Sequence, residues 1–181
     1  MNQNFTNFAF TESVKKVQEH HGSRHSYARM ETSGDRFVLT PNEINFIQSR
    51  DSFYMGTVGK NGWPYVQFRG GPKGFLKVID ETTIAYADFR GNRQYITTGN
   101  LHDSNKASLF LMDYPSKKRL KIWVESNIIE ADQNQKLSQQ LQMDGYQARI
   151  ERLVIFRIKA YDWNCPQHIT PRYTTEEIYD M

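Results

Sequence analysis

The chain has 181 residues, of which 38% are hydrophobic and 13% aromatic, and its net charge is +3. This apolar content excludes an intrinsically disordered chain, because disordered segments lack the surface that offsets the entropy of folding. The small charge gives no indication of nucleic-acid binding, and no apolar run approaches the roughly 20 residues of a membrane-spanning helix. The length predicts a single domain.

Cysteine usage and the N-terminal residues bear on the cellular compartment. Cys165 is the single cysteine of the sequence, which excludes a disulfide within the chain. The first ten residues lack the basic stretch and the long apolar core of a secretory signal. Both observations predict a protein of the reducing cytoplasm without a membrane partner.

Residues 1–40 are polar and predict an N-terminal extension to the domain. Within it, the apolar spacing of residues 11–21 predicts a short helix that ends at Gly22. Residues 23–39 show no regular period and predict an extended or loop segment on the surface.

A barrel with helices is predicted over residues 41–163, followed by an irregular C-terminal segment over residues 164–181. The first helix of the barrel region begins after Thr40, which can act as N-cap. Pro41 suits the first helical position, and Glu43 completes a capping box.

From residue 53 onward the apolar residues take on the period of strands. The predicted strands are 53–58, 64–68, 75–79, 83–88, 108–112, 119–129 and 153–163, and the further helices are 94–99 and 133–143. The pair Asn61-Gly62 predicts a tight hairpin between the first two strands. Six or more mostly antiparallel strands predict a closed β-barrel, because closure removes exposed strand edges.

The first candidate site is the end of the second strand, Gln67-Phe68-Arg69-Gly70. A strand that runs into two glycines lets a planar ligand approach the backbone closely. Gln67 and Arg69 alternate to the same side if the strand extends that far. The alternative is a barrel corner with a solvent-facing arginine.

The second candidate is the turn Asp88-Phe89-Arg90-Gly91-Asn92-Arg93-Gln94. Such a turn can present backbone N–H groups to an anion, and the start of the following helix adds a favourable partial charge. Arginine supplies a bidentate fork for phosphate, so the pattern predicts a phosphate site. The alternative is an ordinary strand–helix connection with solvated arginines. If the strands are adjacent in the barrel, both candidate loops lie near one ligand.

The third candidate is the segment from Trp163 to Arg172, which combines an indole, a thiol, amides, an imidazole and a guanidinium. The alternative is a tail held over the barrel by its apolar residues. A lone cysteine such as Cys165 is more often a small buried residue than a nucleophile. His21 and His25 have helical spacing, but Gly22 between them disfavours a continuous helix, so we predict no metal site.

At these residues the chain resembles the pyridoxamine 5′-phosphate oxidase-like, FMN-binding split-barrel proteins. The matching stretches are GWPYVQFRGGPKGFLKV, ADFRGNRQYITTGNL, LFLMDYPSKKRLKIW and DWNCPQHITPRY. With the lead-in SFYMGTVGKNG, they cover most of residues 52–173. The likeness is to a broad branch of that family, not to the vitamin B6 enzyme itself.

The resemblance implies a mainly β fold, a six-stranded antiparallel split barrel of Greek-key type with short helices. It also implies a homodimer with two FMN sites at its interface. The flavin contacts of one subunit would fall on Gln67, Phe68, Arg69, Gly70, Asp88, Phe89, Asn92, Arg93 and Gln94. Those of the second subunit would fall on Arg119, Trp163, Cys165, Gln167 and Arg172.

The sequence departs from the vitamin B6 enzyme at positions that, in that enzyme, neutralise the phosphate or form the substrate signature. That enzyme has an arginine where Gln67 stands and a lysine where Gln94 stands, and both help to neutralise the phosphate. Arg69 and Arg93 are expected to compensate. The Arg-x-His substrate signature of that enzyme's tail is absent here, where the chain reads His168-Ile169-Thr170. This difference argues against pyridoxamine phosphate as the substrate.

The function that the resemblance implies is an FMN-dependent oxidoreductase. Its donor would be a reduced nicotinamide or another small organic molecule. Arg93 would anchor the phosphate, and Gln67, Phe68 and Arg69 would hold the ring. The alternative is a binding protein without turnover, for flavin or for haem. Haem would take His168 or the pair His20–His21 as its axial ligand.

Overall fold

The computed structural model describes residues 4–32, 34, 36–163 and 165–179 of the chain. Its strands are β1 (Ser52–Val58), β2 (Pro64–Gly70), β3 (Lys77–Asp80), β4 (Thr83–Phe89), β5 (Lys106–Asp113), β6 (Lys118–Glu130) and β7 (Ile150–Trp163). Its helices are α1 (Thr6–Ala9), α2 (Glu12–His20), α3 (Arg24–Glu31), α4 (Pro41–Gln48), α5 (Ile96–Asp103), α6 (Gln135–Leu141) and α7 (Thr175–Tyr179). Within these residues, no helix has the length and apolar character needed to cross a membrane.

The seven strands form one antiparallel sheet in the order β2-β1-β5-β6-β7-β4-β3. The sequence predicted a mainly β, antiparallel fold, which is confirmed. Each of the seven strands predicted from the sequence has a counterpart, whereas the resemblance implied six. The prediction of a closed barrel is wrong, because the sheet is not closed. Across the described residues, no backbone ladder joins the edge strand β2 to β4 or β3.

The two ends of the sheet nevertheless approach each other through side chains. The Phe53 ring of β1 stacks on Phe75 at 5.7 Å between centroids and meets Tyr86 of β4 edge to face at 5.4 Å. All three rings are buried. On β2, Arg69 reaches Asp88 of β4. The sheet therefore curls around one core, and we call the unpaired junction between β2 and β4 the seam.

The inner face of the curled sheet supplies most of the core. Alternate residues of the long strands β5 and β6 are buried, namely Ala107, Leu109, Leu111, Leu120, Ile122 and Val124. Burying one such leucine or isoleucine contributes about 1.5–3 kcal/mol relative to leaving it exposed. This period-two burial is what fixes which strand residues face outward.

Helix α4 begins where the capping signal predicts. The Thr40 hydroxyl accepts a hydrogen bond from the Asn42 backbone N–H at 3.3 Å, and the Glu43 carboxylate accepts one from the Thr40 N–H at 3.0 Å. Phe46 and Ile47 then point into the core. The cap sets the entry angle of the helix, so its apolar face meets the sheet.

The N-terminal extension is more helical than predicted. Helix α2 confirms the first predicted helix, and Gly22 follows it with a left-handed φ of 69°. The loop predicted over residues 23–39 is wrong, because residues 24–31 form α3. No residue of α3 is buried, and its eight residues are mostly polar, so a periodic apolar pattern did not mark it as a helix. An ion pair of 2.6 Å between Arg24 and Glu31 supports it instead.

Ring stacking fastens the extension to the outer face of the sheet. Phe5 stacks on Trp123 of β6 at 5.9 Å and meets Phe10 edge to face at 5.6 Å. Phe10 in turn meets Tyr27 of α3 at 5.6 Å. The extension thus covers the sheet over β6.

The C-terminal segment was predicted to be irregular, but residues 175–179 form the short helix α7. The Thr174 hydroxyl accepts the Glu177 N–H at 3.2 Å, and the Glu177 carboxylate accepts the Thr174 N–H at 2.8 Å. This reciprocal pair is a capping box, a signal that the sequence displays and that our prediction overlooked.

Candidate functional site

A cleft of about 270 Å³ opens at the seam between β2 and β4. Its walls come from the end of β2, the end of β4 with the turn after it, and the start of β7. The lining residues are Gln67, Phe68, Arg69, Gly70, Phe75, Tyr86, Ala87, Asp88, Phe89, Gly91, Asn92, Arg93, Tyr95, Thr98, Glu151 and Arg152. The first and second candidate segments therefore lie together, as predicted. They are not adjacent in the sheet, however, and it is the curl that brings them together.

A buried carboxylate forms the centre of the cleft wall. Asp88 accepts a hydrogen bond at 2.8 Å from Arg69 Nη1 on one oxygen. Its other oxygen accepts two from Arg152, at 2.7 Å from Nη2 and 3.1 Å from Nε. A buried carboxylate is stable only when donors satisfy it, so the two arginines and the aspartate depend on one another.

Arg152 has a second acidic neighbour. Its Nη2 donates to Glu151 at 3.1 Å, and its guanidinium lies over the Tyr95 ring at 4.8 Å. Burial alone would lower the pKa of Arg152, but hydrogen bonds and charges from Asp88 and Glu151 outweigh it, so the pKa is raised. Arg152 therefore stays cationic and links Asp88 to Glu151 in the cleft wall.

Arg69 also carries a buried donor without a partner. Its Nε is buried and has no hydrogen-bond partner among the described residues, while its guanidinium lies 5.9 Å from the centre of the Tyr86 ring. Leaving a buried donor unsatisfied costs about 1–3 kcal/mol. A ligand acceptor placed beside this nitrogen would remove that cost.

The Gln67 side chain lies on the same side of β2 as Arg69, as predicted. Its Oε1 accepts a hydrogen bond from the Thr97 hydroxyl of α5. With the oxygen engaged, the Nε2 amino group is the part of this side chain left to donate. Gln67 therefore offers the cleft a neutral, oriented donor.

Phe68 points to the other side of β2. Its ring is 57% exposed and meets Tyr54 of β1 edge to face at 5.6 Å. It also lies across Gly70, where an added Cβ would come within 2.9 Å of Phe68 Cε1. Gly70 thus allows the aromatic ring to border the cleft from the outer face of the sheet.

The turn after β4 carries backbone strain. Arg93 and Tyr95 have left-handed φ angles of 62° and 55°. Each such non-glycine residue costs on the order of 1–3 kcal/mol, and this strain collects at functional sites. The Asn92 side chain stabilises the turn by accepting the Gln94 N–H at 3.1 Å.

The charged end of this turn is available to a ligand. Arg93 Nε donates to the Tyr95 hydroxyl at 3.3 Å, which itself donates to Glu151 at 3.4 Å. No described residue engages the terminal nitrogens of Arg93. Helix α5 begins at Ile96, later than predicted, and Gln94 does not line the cleft.

The remaining predicted residues lie away from the cleft. Trp163 donates its indole N–H to Glu43 at 2.6 Å, and Arg119 donates to the Cys165 carbonyl at 2.8 Å. Arg172 lies over the Tyr114 ring at 5.0 Å. Within one chain, neither these residues nor Gln167 line the cleft, and neighbouring Asn164 lies outside the described residues.

Sequence reasoning missed Tyr95, Glu151 and Arg152. The signal was a consecutive acid and base at the start of a strand, Glu151-Arg152, but its partner Asp88 is far away in the sequence. None of the cleft's lining residues is a histidine. His20 and His21 contact each other at 4.9 Å in the extension, and His168 is exposed in the C-terminal segment.

A model of one protein family matches the region that holds the cleft. The model for pyridoxamine 5′-phosphate oxidase matches residues 39–164, from the start of α4 through β7. The chain belongs to this family. Among curated proteins, none matches the sequence significantly.

Crystal structures of similar fold come from several bacteria. An FMN-binding protein from Syntrophomonas wolfei is 13% identical with a TM-score of 0.54, over 81% of this chain and 97% of that one. HupZ from Group A Streptococcus is 13% identical with a TM-score of 0.53, over 75% and 100%. A protein related to general stress protein 26, from Clostridium acetobutylicum, is 16% identical with a TM-score of 0.50, over 76% and 95%. At these identities the likeness extends to the fold alone.

Proposed function

We propose that this family member binds FMN in the cleft at the seam and acts as a flavin-dependent oxidoreductase. The observation that carries the proposal is the set of unused donors at one cleft, Arg93, Arg69 Nε and Gln67 Nε2. Family membership supports it, as does the similar fold of the FMN-binding protein from Syntrophomonas wolfei.

The donors suit the two ends of an FMN molecule. The terminal nitrogens of Arg93 can form a charge-assisted pair with the phosphate. Arg69 Nε and Gln67 Nε2 can donate to the oxygen and nitrogen acceptors at the ring edge. Asp88 holds Arg69 in place for this role, because its carboxylate accepts a hydrogen bond from Arg69 Nη1 and so fixes the guanidinium.

Bound FMN supplies the hydride and electron transfer, so the chain itself needs to bind, orient and shield. Tyr86 lies under Arg69 at the bottom of the cleft, and burial raises the pKa of its phenol well above the usual range. It therefore stays neutral and adds an apolar floor. Arg152 over Tyr95 closes the side of the cleft nearest β7.

A homodimer is part of the proposal. The outer face of β2 and the turn before it expose apolar side chains beside the cleft, with Trp63 75%, Val66 64% and Phe68 57% exposed. An edge strand with an apolar outer face is suited to covering by another copy. In such a dimer Arg119, Trp163, Cys165, Gln167 and Arg172 would contribute to the partner's flavin site.

The donor is proposed to be a reduced nicotinamide or a small organic molecule. The test of function begins with the visible spectrum of the purified protein and mass identification of whatever denaturation releases. We expect a two-band flavin spectrum and released FMN, followed by bleaching when a donor is added without oxygen. A Soret band, or a colourless protein that refuses added FMN, would contradict the proposal.

A further inference from the structure

The hydroxyl of Tyr95 holds the side chain of Arg93 in the turn after β4. Residues 90–96 of this turn are exposed, so an arginine here would ordinarily sample many rotamers. Arg93 Nε instead donates a hydrogen bond to the Tyr95 hydroxyl at 3.3 Å. This bond raises the pKa of Arg93, so the hydroxyl favours the charged guanidinium. Because the bond occupies Nε, the two terminal nitrogens are the donors that Arg93 can offer to a ligand.

Tyr95 is itself fixed by the start of β7. Its hydroxyl donates to Glu151 at 3.4 Å, and the Arg152 guanidinium lies over its ring at 4.8 Å. Glu151 and Arg152 are paired with each other at 3.1 Å, and their side chains are only 15% and 12% exposed. The hydroxyl that accepts the Arg93 hydrogen bond is thus attached to a mostly buried pair, although Arg93 itself belongs to an exposed turn.

The charges around Tyr95 leave room for an anion. The cluster contains four guanidiniums and two carboxylates, from Arg69, Arg90, Arg93, Arg152, Asp88 and Glu151. Among the described residues, Arg93 is the member of this cluster with no carboxylate oxygen within 4.0 Å of its guanidinium. A phosphate monoester carries a charge of about −1.5 to −2 at neutral pH, which suits a cluster with an excess of positive charge.

We infer that Tyr95 is a positioning residue that makes the cleft select FMN over riboflavin, which has the same ring system without the phosphate. Tyr95 acts through Arg93, because its hydroxyl directs the two terminal nitrogens of the guanidinium toward the phosphate, where they form paired hydrogen bonds. A guanidinium that is held before the ligand arrives loses less side-chain entropy on binding. The inference rests on the proposed function, since it concerns the phosphate end of the same cleft.

The test compares Tyr95→Phe with the parent protein by fluorescence titration of FMN and of riboflavin. The substitution removes the hydroxyl and keeps a ring under Arg152, so the fold should be retained. FMN affinity should fall about threefold to tenfold, the effect of one neutral hydrogen bond, and riboflavin affinity should stay unchanged. Tyr27→Phe is the matched control, at a 41% exposed tyrosine of α3 that contacts Phe10, and it should alter neither affinity.

A double variant tests whether Tyr95 acts through Arg93. Arg93→Gly removes the phosphate anchor, so the addition of Tyr95→Phe to that variant should cause no further loss of FMN affinity. The same fold-loss in both backgrounds would mean that Tyr95 acts independently of Arg93 and would overturn the inference. This comparison uses FMN alone, so it decides the inference even where riboflavin binds too weakly to titrate.

Other results would also overturn the inference. One is a Tyr95→Phe protein that binds FMN as tightly as the parent while circular dichroism shows it folded. Another is an equal loss of affinity for FMN and riboflavin, which a purely structural role would produce, and a third is a parent protein that binds both flavins equally well. A parent protein that binds no FMN would instead overturn the proposed function and the inference with it, so the two failures are distinguishable.

Discussion

Arg69 Nη1 lies 2.8 Å from Asp88 Oδ1 and so links the edge strand β2 to β4 near the opposite end of the sheet. Strands β1, β5, β6 and β7 stand between them in sheet order. The pair bridges the seam where backbone pairing is missing. The same contact therefore helps to hold the curl and leaves space for the cleft.

The first prediction concerns the charge of Asp88. Asp88→Asn keeps the shape but removes the carboxylate that the mostly buried Arg69 and Arg152 share, so we expect a loss of about 3 kcal/mol in unfolding free energy. Urea denaturation measures this loss. Asp132→Asn, at an exposed acid outside the cluster, should change stability by less than about 0.5 kcal/mol. Equal stability of the two variants would contradict the structural role of the pair.

The second prediction separates binding from folding at the strained turn. Arg93→Gly removes the guanidinium and relieves a left-handed backbone of φ 62°, so stability should hold or rise. FMN affinity should fall about tenfold to a hundredfold, the effect of one charge-assisted hydrogen bond of roughly 1.5–3 kcal/mol. Fluorescence titration with FMN measures this fall. Arg90→Ala removes an exposed arginine that pairs with Glu151 at 3.6 Å, and should have a smaller effect.

The third prediction concerns Gly71, which follows β2. A Cβ there would lie 2.8 Å from Phe75 Cγ, inside the buried aromatic cluster. Gly71→Ala should therefore destabilise the protein by about 1–3 kcal/mol through overpacking. Gly99→Ala is the matched control, because nothing lies within 4 Å of its added Cβ in α5. It should stabilise by up to about 1 kcal/mol, and the two thermal unfolding midpoints should shift in opposite directions.

The fourth prediction is a pH dependence that arises from Glu43. Burial would raise its pKa, but hydrogen bonds from Thr40, Trp163 and Asn42 together outweigh burial and lower it from the ordinary 4.5. The folded state thus favours the charged form. Its contribution to stability is present above about pH 4.5 and is lost as the pH falls through the lowered value.

Urea unfolding between pH 3 and pH 7 tests this dependence. The parent protein should lose stability toward the acid end, and Glu43→Gln should flatten that slope while lowering stability at neutral pH. Glu130→Gln, an exposed acid at the end of β6, serves as the control and should keep the parental slope. A Glu43→Gln profile parallel to the parent's would refute the assignment.

The fifth prediction concerns the outer face of β2. Val66→Glu places a charge on an exposed apolar side chain, so the proposed dimer should dissociate and FMN occupancy should fall. Val17→Glu makes the same change at a 58% exposed valine of α2 and should alter neither. Sedimentation velocity monitored at the flavin absorbance measures the mass of the protein and its FMN occupancy in one experiment. A monomeric parent protein saturated with FMN would contradict the proposed interface.

Local chemistry allowed much of the fold to be predicted. The Thr40 cap, Gly22 and the Asn61-Gly62 hairpin each depend on residues a few positions apart, and each is found where expected. Helix α3 was missed because an ion pair stabilises it while no apolar face marks it. Capping and turn signals involve residues close together in the chain, so they can be recognised in the sequence without the tertiary structure.

The candidate site also combines features that local sequence predicts with features that depend on distant contacts. The donors near glycines at the ends of β2 and β4 were predictable, because Arg69 and Arg93 each belong to a recognisable local pattern. Their meeting across an unclosed seam, and the completion of the wall by Arg152 of β7, depend on contacts between distant parts of the chain and could not be predicted. A buried charge is stable only beside a partner of opposite charge. Here the curl of the sheet brings that partner from a distant part of the chain.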